Sequence, residues 1–312
     1  MSFDADAITD RRRLKRRLFF WRFGAVAALV LLALTVFGVS FHRAQIARVE
    51  ITGIITDDRP MQDLLKKLGD DHAVKAVILA IDSPGGTTTG AEALYTSVRQ
   101  LAAKKPVVAT LGTVAASGGY IAALSADHIV ARGNTLTGSI GVLFEWPQFA
   151  GLMEKLGIEM QAVKSAPLKA EPEPYHKPTP EALAATRDLV TSSYDWFLSL
   201  VAERRKLDAA TARKLGDGRV YTGWQAVQNK LVDEIGGDDQ AVQWLAKARN
   251  VPAGLPVEDW APERPGDGYS AFAGHAMGEV LADGIEALAG KTLQSKRLTL
   301  DGLTSVWHPD AH

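Results

Sequence analysis

Residues 76–86 read AVILAIDSPGG, a continuous apolar run that stops at a turn of Asp, Ser, Pro and two glycines. A run this short with no polar alternation suits a strand covered on both faces, as in a parallel sheet. Val107–Gly112, VVATLG, is a second such run ending at a glycine-containing loop, and Gly90–Ala103 between them reads as a helix. Strand, loop, helix and strand at this spacing form a βαβ unit, which implies parallel strands and a right-handed crossover. In parallel α/β sheets, sites gather where loops leave the carboxyl ends of strands. Both glycine loops stand at such ends.

Outward from this unit, Ala47–Ile55 alternates polar and apolar residues as a half-buried strand does, and a polar helix is predicted near Met61–Leu68. Asp127–Ala131 and Ile158–Lys164 read as strands. Pro180–Lys206 reads as a long helix with Leu183, Leu189, Val190, Tyr194, Phe197, Leu198 and Val201 on its apolar side. Shorter helices are predicted near Ala209–Leu215, Trp224–Lys230 and Asp238–Ala248. Val251–Gly268, rich in Pro and Gly, reads as a loop or linker, followed by an amphipathic helix near Ala271–Ala289 and a tail.

The 312 residues, 46% hydrophobic and 23% charged, suffice for a globular core, and the absence of cysteine excludes thiol nucleophiles, thiolate metal sites and disulfides. The net charge of −1 conceals an asymmetry: residues 1–22 hold seven Lys/Arg against three Asp, and the remainder is mildly acidic. An acidic body argues against a nucleic-acid partner. The basic start leads into Phe23–Phe41, 19 residues without a charge, or about 28 Å of helix, enough to cross a bilayer. Its length and the lack of a small-x-small cleavage site favour a retained anchor over a cleaved signal peptide. Arg11, Arg12, Arg13, Lys15, Arg16, Arg17 and Arg22 before the span keep the amino end cytoplasmic by the positive-inside rule. The predicted organisation is a basic terminus (1–22), a transmembrane anchor (23–41), a catalytic domain (42–250) and a C-terminal extension (251–312).

Without a thiol, the nucleophile is an oxygen or an amine. Ser117, in AASGGY after a strand, stands where a turn into a helix supplies oxyanion donors, among them the amide of Gly118. The second glycine of DSPGG, Gly86, offers another. A serine also needs a base. His42, His72, His128, His275, His308 and His312 are poorly placed, His176 lies in EPYHKP, and no H-E-x-x-H spacing supports a metal site. Lysine is the alternative, with Lys164, Lys169 and Lys177 in VKSAPLKAEPEPYHKP. A neutral lysine needs its pKa lowered from about 10.4 to near 7, roughly 4–5 kcal/mol, which burial among apolar groups can supply. Lys169, after Pro167 and Leu168, is the candidate best set for burial.

DSPGG at 82–86, AASGGY at 115–120, TGSIGV at 137–142, VKSAPLK at 163–169, DGRVYTGWQA at 217–226 and LVDEIGG at 231–237 stand in the order found in peptidase family S49, and the chain resembles that family's short signal peptide peptidases. The resemblance implies a ClpP/crotonase-like α/β fold and a Ser-Lys dyad with Ser117 as nucleophile and Lys169 as general base. It further implies oxyanion glycines at Gly85, Gly86 and Gly118, and an orienting role toward the lysine for Ser139. It implies no cofactor and no metal, homo-oligomers with composite sites, and cleaved signal peptides and other apolar peptides as substrates. The location implied is the extracytoplasmic face of a bacterial inner membrane. Ala166 and Leu168 depart from the family's usual residues before the lysine, and Asn229-Lys230 stands where a glycine is usual. A thioester-processing crotonase-type enzyme and an inactive membrane scaffold of the same fold are the alternatives.

Overall fold

The apolar run at 76–81 is divided between two faces of a sheet: Ala76 and Ile78 pack on one side, Val77, Leu79 and Ile81 on the other. Side chains alternate along a strand, so a run with no polar residue has both faces covered. The computed structural model describes residues 17–26, 43–264 and 303–306. Residues 17–26 form helix α1, and residues 44 onward belong to a separate compact unit. Of the predicted membrane span 23–41, residues 23–26 belong to α1 and residues 27–41 lie outside the described residues, and no described helix is long and apolar enough to cross a membrane.

In the larger unit, β1 (Gln45–Ile55), β2 (Val74–Thr87), β3 (Val107–Ala116) and β4 (His128–Ala131) pair in parallel, and β8 (Glu234–Ile235) continues beside β4. The first crossovers are α2 (Arg59–Asp70) and α3 (Thr88–Ala102). Asp58 caps α2 by accepting from the Met61 amide and Thr87 caps α3 by accepting from Gly90, so each helix starts where a strand has just ended. Leu65 and Leu68 of α2, Val98 of α3, Ile121 and Leu124 of α4 (Gly118–Leu124), and Phe197 and Val201 of α6 (Pro180–Arg205) fill one face of the sheet. Ala241 and Leu245 of α9 (Asp238–Arg249) cover Ile46, Ile78, Val108 and Val130 on the other. The predicted parallel α/β organisation and the 76–112 βαβ unit are present as read.

Several elements differ. Ile158–Lys164 is not a strand: it follows α5 (Ala150–Leu156) as irregular chain, with Ile158, Met160 and Val163 exposed and no strand edge to pair with. Leu183 and Leu189, in the first half of α6, are exposed; that half buries only Ala182 and Thr186, and the large apolar side chains that enter the core, Phe197, Leu198, Leu200 and Val201, come from the second half. Val257–Trp260, inside the predicted linker, is β9, which pairs in parallel with Ile46–Val49 of β1, so the extension begins as part of the sheet. Short strands β5 (Leu136–Gly138), β6 (Leu143–Phe144) and β7 (Val220–Thr222) were not read from the sequence, while α7 (Ala209–Leu215) and α8 (Gly223–Gln228) stand close to their predicted places. In the tail, β10 (Leu303–Val306) runs antiparallel between β2 and β6. The predicted helix at 271–289 lies outside the described residues.

Candidate active site

β2 and β3 stay paired as far as Ser83 and Ala115, and then part. Ser83 governs what β2 does next: its buried hydroxyl donates to Gly53 O at 2.6 Å and accepts from the Gly85 amide at 3.1 Å, tying the turn to β1. Gly85 has φ 115°, a conformation L side chains avoid, and a Cβ on Gly86 would sit 1.8 Å from Ile55 O. DSPGG, read from the sequence as a loop, therefore continues β2 to Thr87, lying flat against the end of β1. With the Gly85 amide engaged by Ser83, the glycine of this turn that suits an incoming oxyanion is Gly86. Ile55 also lines a cavity of about 350 Å³ of mixed character, with Ile51, Met61 and Leu94 but also Glu50, Asp58, Gln62 and Arg264.

β3 ends one residue before Ser117, which starts α4 with φ 55° and ψ −117° and is 1% exposed. A non-glycine residue there is strained by about 1–3 kcal/mol and persists only where its surroundings hold it. They do so here. The Ser117 amide donates to Gly138 O at 2.8 Å, the Ser117 carbonyl accepts from the Ile121 amide at 3.0 Å, and α4 is buried along its whole length. Tyr120 anchors the helix: its hydroxyl donates to Leu231 O at 2.8 Å, and burial pushes its ionisation up. An ideal Cβ on Gly118 would lie 3.1 Å from the Gly86 nitrogen, so the backbone at Gly118 packs directly against that at Gly86.

Ser139 enters from the other side. Ala116 of β3 pairs with Gly138 of β5, so Ser117 and Ser139 are the residues that follow a paired position, and Ser139 likewise has a positive φ, 48°. Its amide donates to Arg219 O at 2.9 Å, within the DGRVYTGWQA segment. Ser117, Gly86, Gly118 and Ser139 are thus brought together at the carboxyl ends of β2, β3 and β5.

The lysines are elsewhere in character. Lys169 is exposed, on a turn closed by its own amide donating to Ala166 O at 3.1 Å, and Leu168 beside it is exposed too. The burial anticipated for Lys169 is not supplied by the described residues. Lys164 contacts Glu173 at 2.8 Å and Glu171 at 2.9 Å, and hydrogen bonds to those carboxylates hold its proton more tightly than usual. Both contacts favour its charged form. His176 lies 3.2 Å from Glu171 in the same cluster, and His128, 2.9 Å from Glu234 and stacked on Trp244, is a fixture of the sheet edge. The LVDEIGG motif is structural: Asp233 accepts from the Ile129 amide at 2.7 Å and pairs with Arg205 at 2.6 Å. Ser83 was missed in the sequence, where Asp-Ser-Pro-Gly signals a turn but not what ties it.

A buried serine at the end of a parallel strand, opening a helix beside a neighbouring glycine turn, defines an α/β fold with a serine-centred site. The Peptidase family S49 model matches residues 99–252. The slr0021 protein of Synechocystis, which carries a protease name, is 37% identical over 206 residues, 65% of this chain and 74% of that relative. Protease 4 of Haemophilus influenzae is 34% identical over 231 residues, 70% of this chain but only 37% of the relative's length. Among solved structures, a variant of the 1510-N membrane-bound stomatin-specific protease has a TM-score of 0.46 at 15% identity, covering 71% of this chain and 99% of that one. The chain belongs to peptidase family S49.

Proposed function

We propose that this chain is a serine endopeptidase of ClpP/crotonase-like architecture in which Ser117 is the nucleophile, Lys169 the general base and Ser139 the group that orients the lysine. The observation that carries it is the strained, fully buried Ser117 junction beside the Gly86 and Gly118 backbone. Strain of this kind collects where a hydroxyl must be presented to a ligand. Ser117 Oγ adds to a peptide carbonyl while Lys169 Nζ takes the hydroxyl proton, and the Gly86 and Gly118 amides donate to the oxyanion. The C–N bond breaks as the lysine returns the proton to the leaving amine, and water then releases the acyl group by the same route. No cofactor enters.

Lys169 works only unprotonated, and desolvation is what favours that form. Leu152, Leu156, Met160 and Val163, exposed on the same stretch of chain, give a second copy an apolar face to cover, which supports a homo-oligomer with composite sites. The uncharged run at 23–41 supports anchoring in the bilayer, with the amino end cytoplasmic and the catalytic unit on the extracytoplasmic face of a bacterial inner membrane. Membership of family S49 supports apolar peptides, cleaved signal peptides among them, as substrates. The test is hydrolysis of a fluorogenic apolar peptide by the full chain in detergent. Wild type cleaves it faster as pH rises and Ser117→Ala does not cleave it; an inert wild type sinks the assignment.

A further inference from the structure

Glu171 is withdrawn from water in a stretch where little else is. α5 buries no residue, and Leu168 and Lys169 are exposed, yet the Glu171 side chain is only 7% exposed. A carboxylate in that position needs partners. Its Oε1 has two: Lys164 Nζ at 2.9 Å, from seven residues before, and His176 Nε2 at 3.2 Å, from five residues after. Its Oε2 is buried with no hydrogen bond among the described residues. Lys169 lies inside the loop that the Lys164–Glu171 pair closes. Within that loop the Lys169 amide donates to Ala166 O at 3.1 Å and the Glu171 amide donates to Leu168 O at 3.3 Å, two turns that overlap at Leu168 and Lys169. Ala170 follows with φ 64°, a left-handed conformation that alanine avoids. Backbone of this kind persists only where its surroundings hold it, and the next residue along is Glu171.

We infer that Glu171 is the positioning residue for Lys169, fixing the turn from which the lysine side chain departs; the inference rests on the peptidase reading above, in which Lys169 is the base. The reach and direction of a general base decide its effect, since a misplacement of about 1 Å costs on the order of 10²-fold. A long side chain on an exposed turn has many directions open to it, and anchoring its backbone removes part of that freedom. Lys164 and His176 grip the same oxygen, so loss of Lys164 leaves His176 in place, whereas loss of the Glu171 charge loosens both. Glu173, which Lys164 and His176 also reach at 2.8 and 3.3 Å, stands outside the two turns and holds the strained residue less directly.

The full chain in detergent is assayed with the fluorogenic apolar peptide. Glu171→Gln lowers kcat by about tenfold to thirtyfold with KM within about twofold, and Glu173→Gln changes kcat less than about threefold. The deciding comparison is the same substitution made on Lys169→Ala. A residue that acts through Lys169 then has nothing left to position, so the double variant is no slower than Lys169→Ala alone. Losses that multiply, or an unchanged kcat in Glu171→Gln, overturn the inference. A second measurement needs no hydrolysis by this chain. Tryptic cleavage after Lys169, followed by mass spectrometry, quickens about tenfold in Glu171→Gln because the protease requires the turn to open, and an unchanged rate overturns the inference as well. An inert wild type with tryptic cleavage still quickened overturns the peptidase reading instead, with Glu171 keeping its hold on the turn.

Discussion

The carboxyl end of β3 and the stretch that carries Lys169 are built by opposite means. Around Ser117, β2, β3, β5 and the buried helix α4 fix backbone to backbone, and a strained serine is held by hydrogen bonds on both sides of its peptide. From Ala150 to Lys177 the chain buries none of the helix it contains and is held largely by charge, with Lys164 and His176 gathered on Glu171 and Glu173. One chain's core completes the nucleophile's half of the proposed site. The lysine's half is left uncovered among the described residues.

Ser117→Ala breaks the comparison most directly: peptide hydrolysis falls by about 10³-fold or more with the circular dichroism spectrum unchanged. Lys169→Ala and Lys164→Ala test the other half as a pair. Loss of about 10²-fold is expected for Lys169→Ala and less than about threefold for Lys164→Ala, in a continuous fluorogenic assay. A reversed order assigns the base to Lys164 and overturns the argument from its carboxylate partners.

Stability separates the two regions as well. Gly86→Ala drives a Cβ into Ile55 O and is expected to cost about 2–3 kcal/mol in urea unfolding, whereas Gly151→Ala, which meets nothing within 4 Å, is neutral or slightly stabilising. Tyr120→Phe leaves the Leu231 carbonyl without its buried donor, a loss of about 1–2 kcal/mol by the same measurement. The smallest effect is pH-dependent. Hydrogen bonding from Lys164 holds the Glu171 carboxyl below its ordinary 4.5. A depressed carboxylate stabilises the fold above its unfolded value and loses that contribution as pH falls through the folded one. Protection factors of the amides over residues 164–176, corrected for intrinsic exchange, therefore fall below about pH 4, and Glu171→Gln removes the fall.

What was legible in the sequence follows the same division. The 76–112 unit was readable because its strands are buried on both faces and its helix is capped by a residue local to it, Thr87. Ser117, Gly86 and Gly118 were readable as candidates because glycine turns at strand ends announce themselves, whereas Ser139 came only with the resemblance. Ile158–Lys164 alternates as a strand should, but alternation records that one face seeks cover, not that a neighbouring edge is present. β9 and β10, four residues each, exist through pairing with β1 and β2 far away in sequence, and nothing local marks them. Lys169 was expected to be buried from its apolar neighbours, yet Leu168 is itself uncovered.

The fork after Ser83 also acts as a gauge. β10 bridges β2 and β6, so those walls stand two ladder spacings apart, about 9.5 Å. A helix with its side chains needs about 10–12 Å and a hairpin needs a further spacing, so neither enters. Only a single extended chain is admitted. On the proposed peptidase reading, folded proteins nearby are spared without any recognition of their sequence, and whatever is cleaved has already lost its structure.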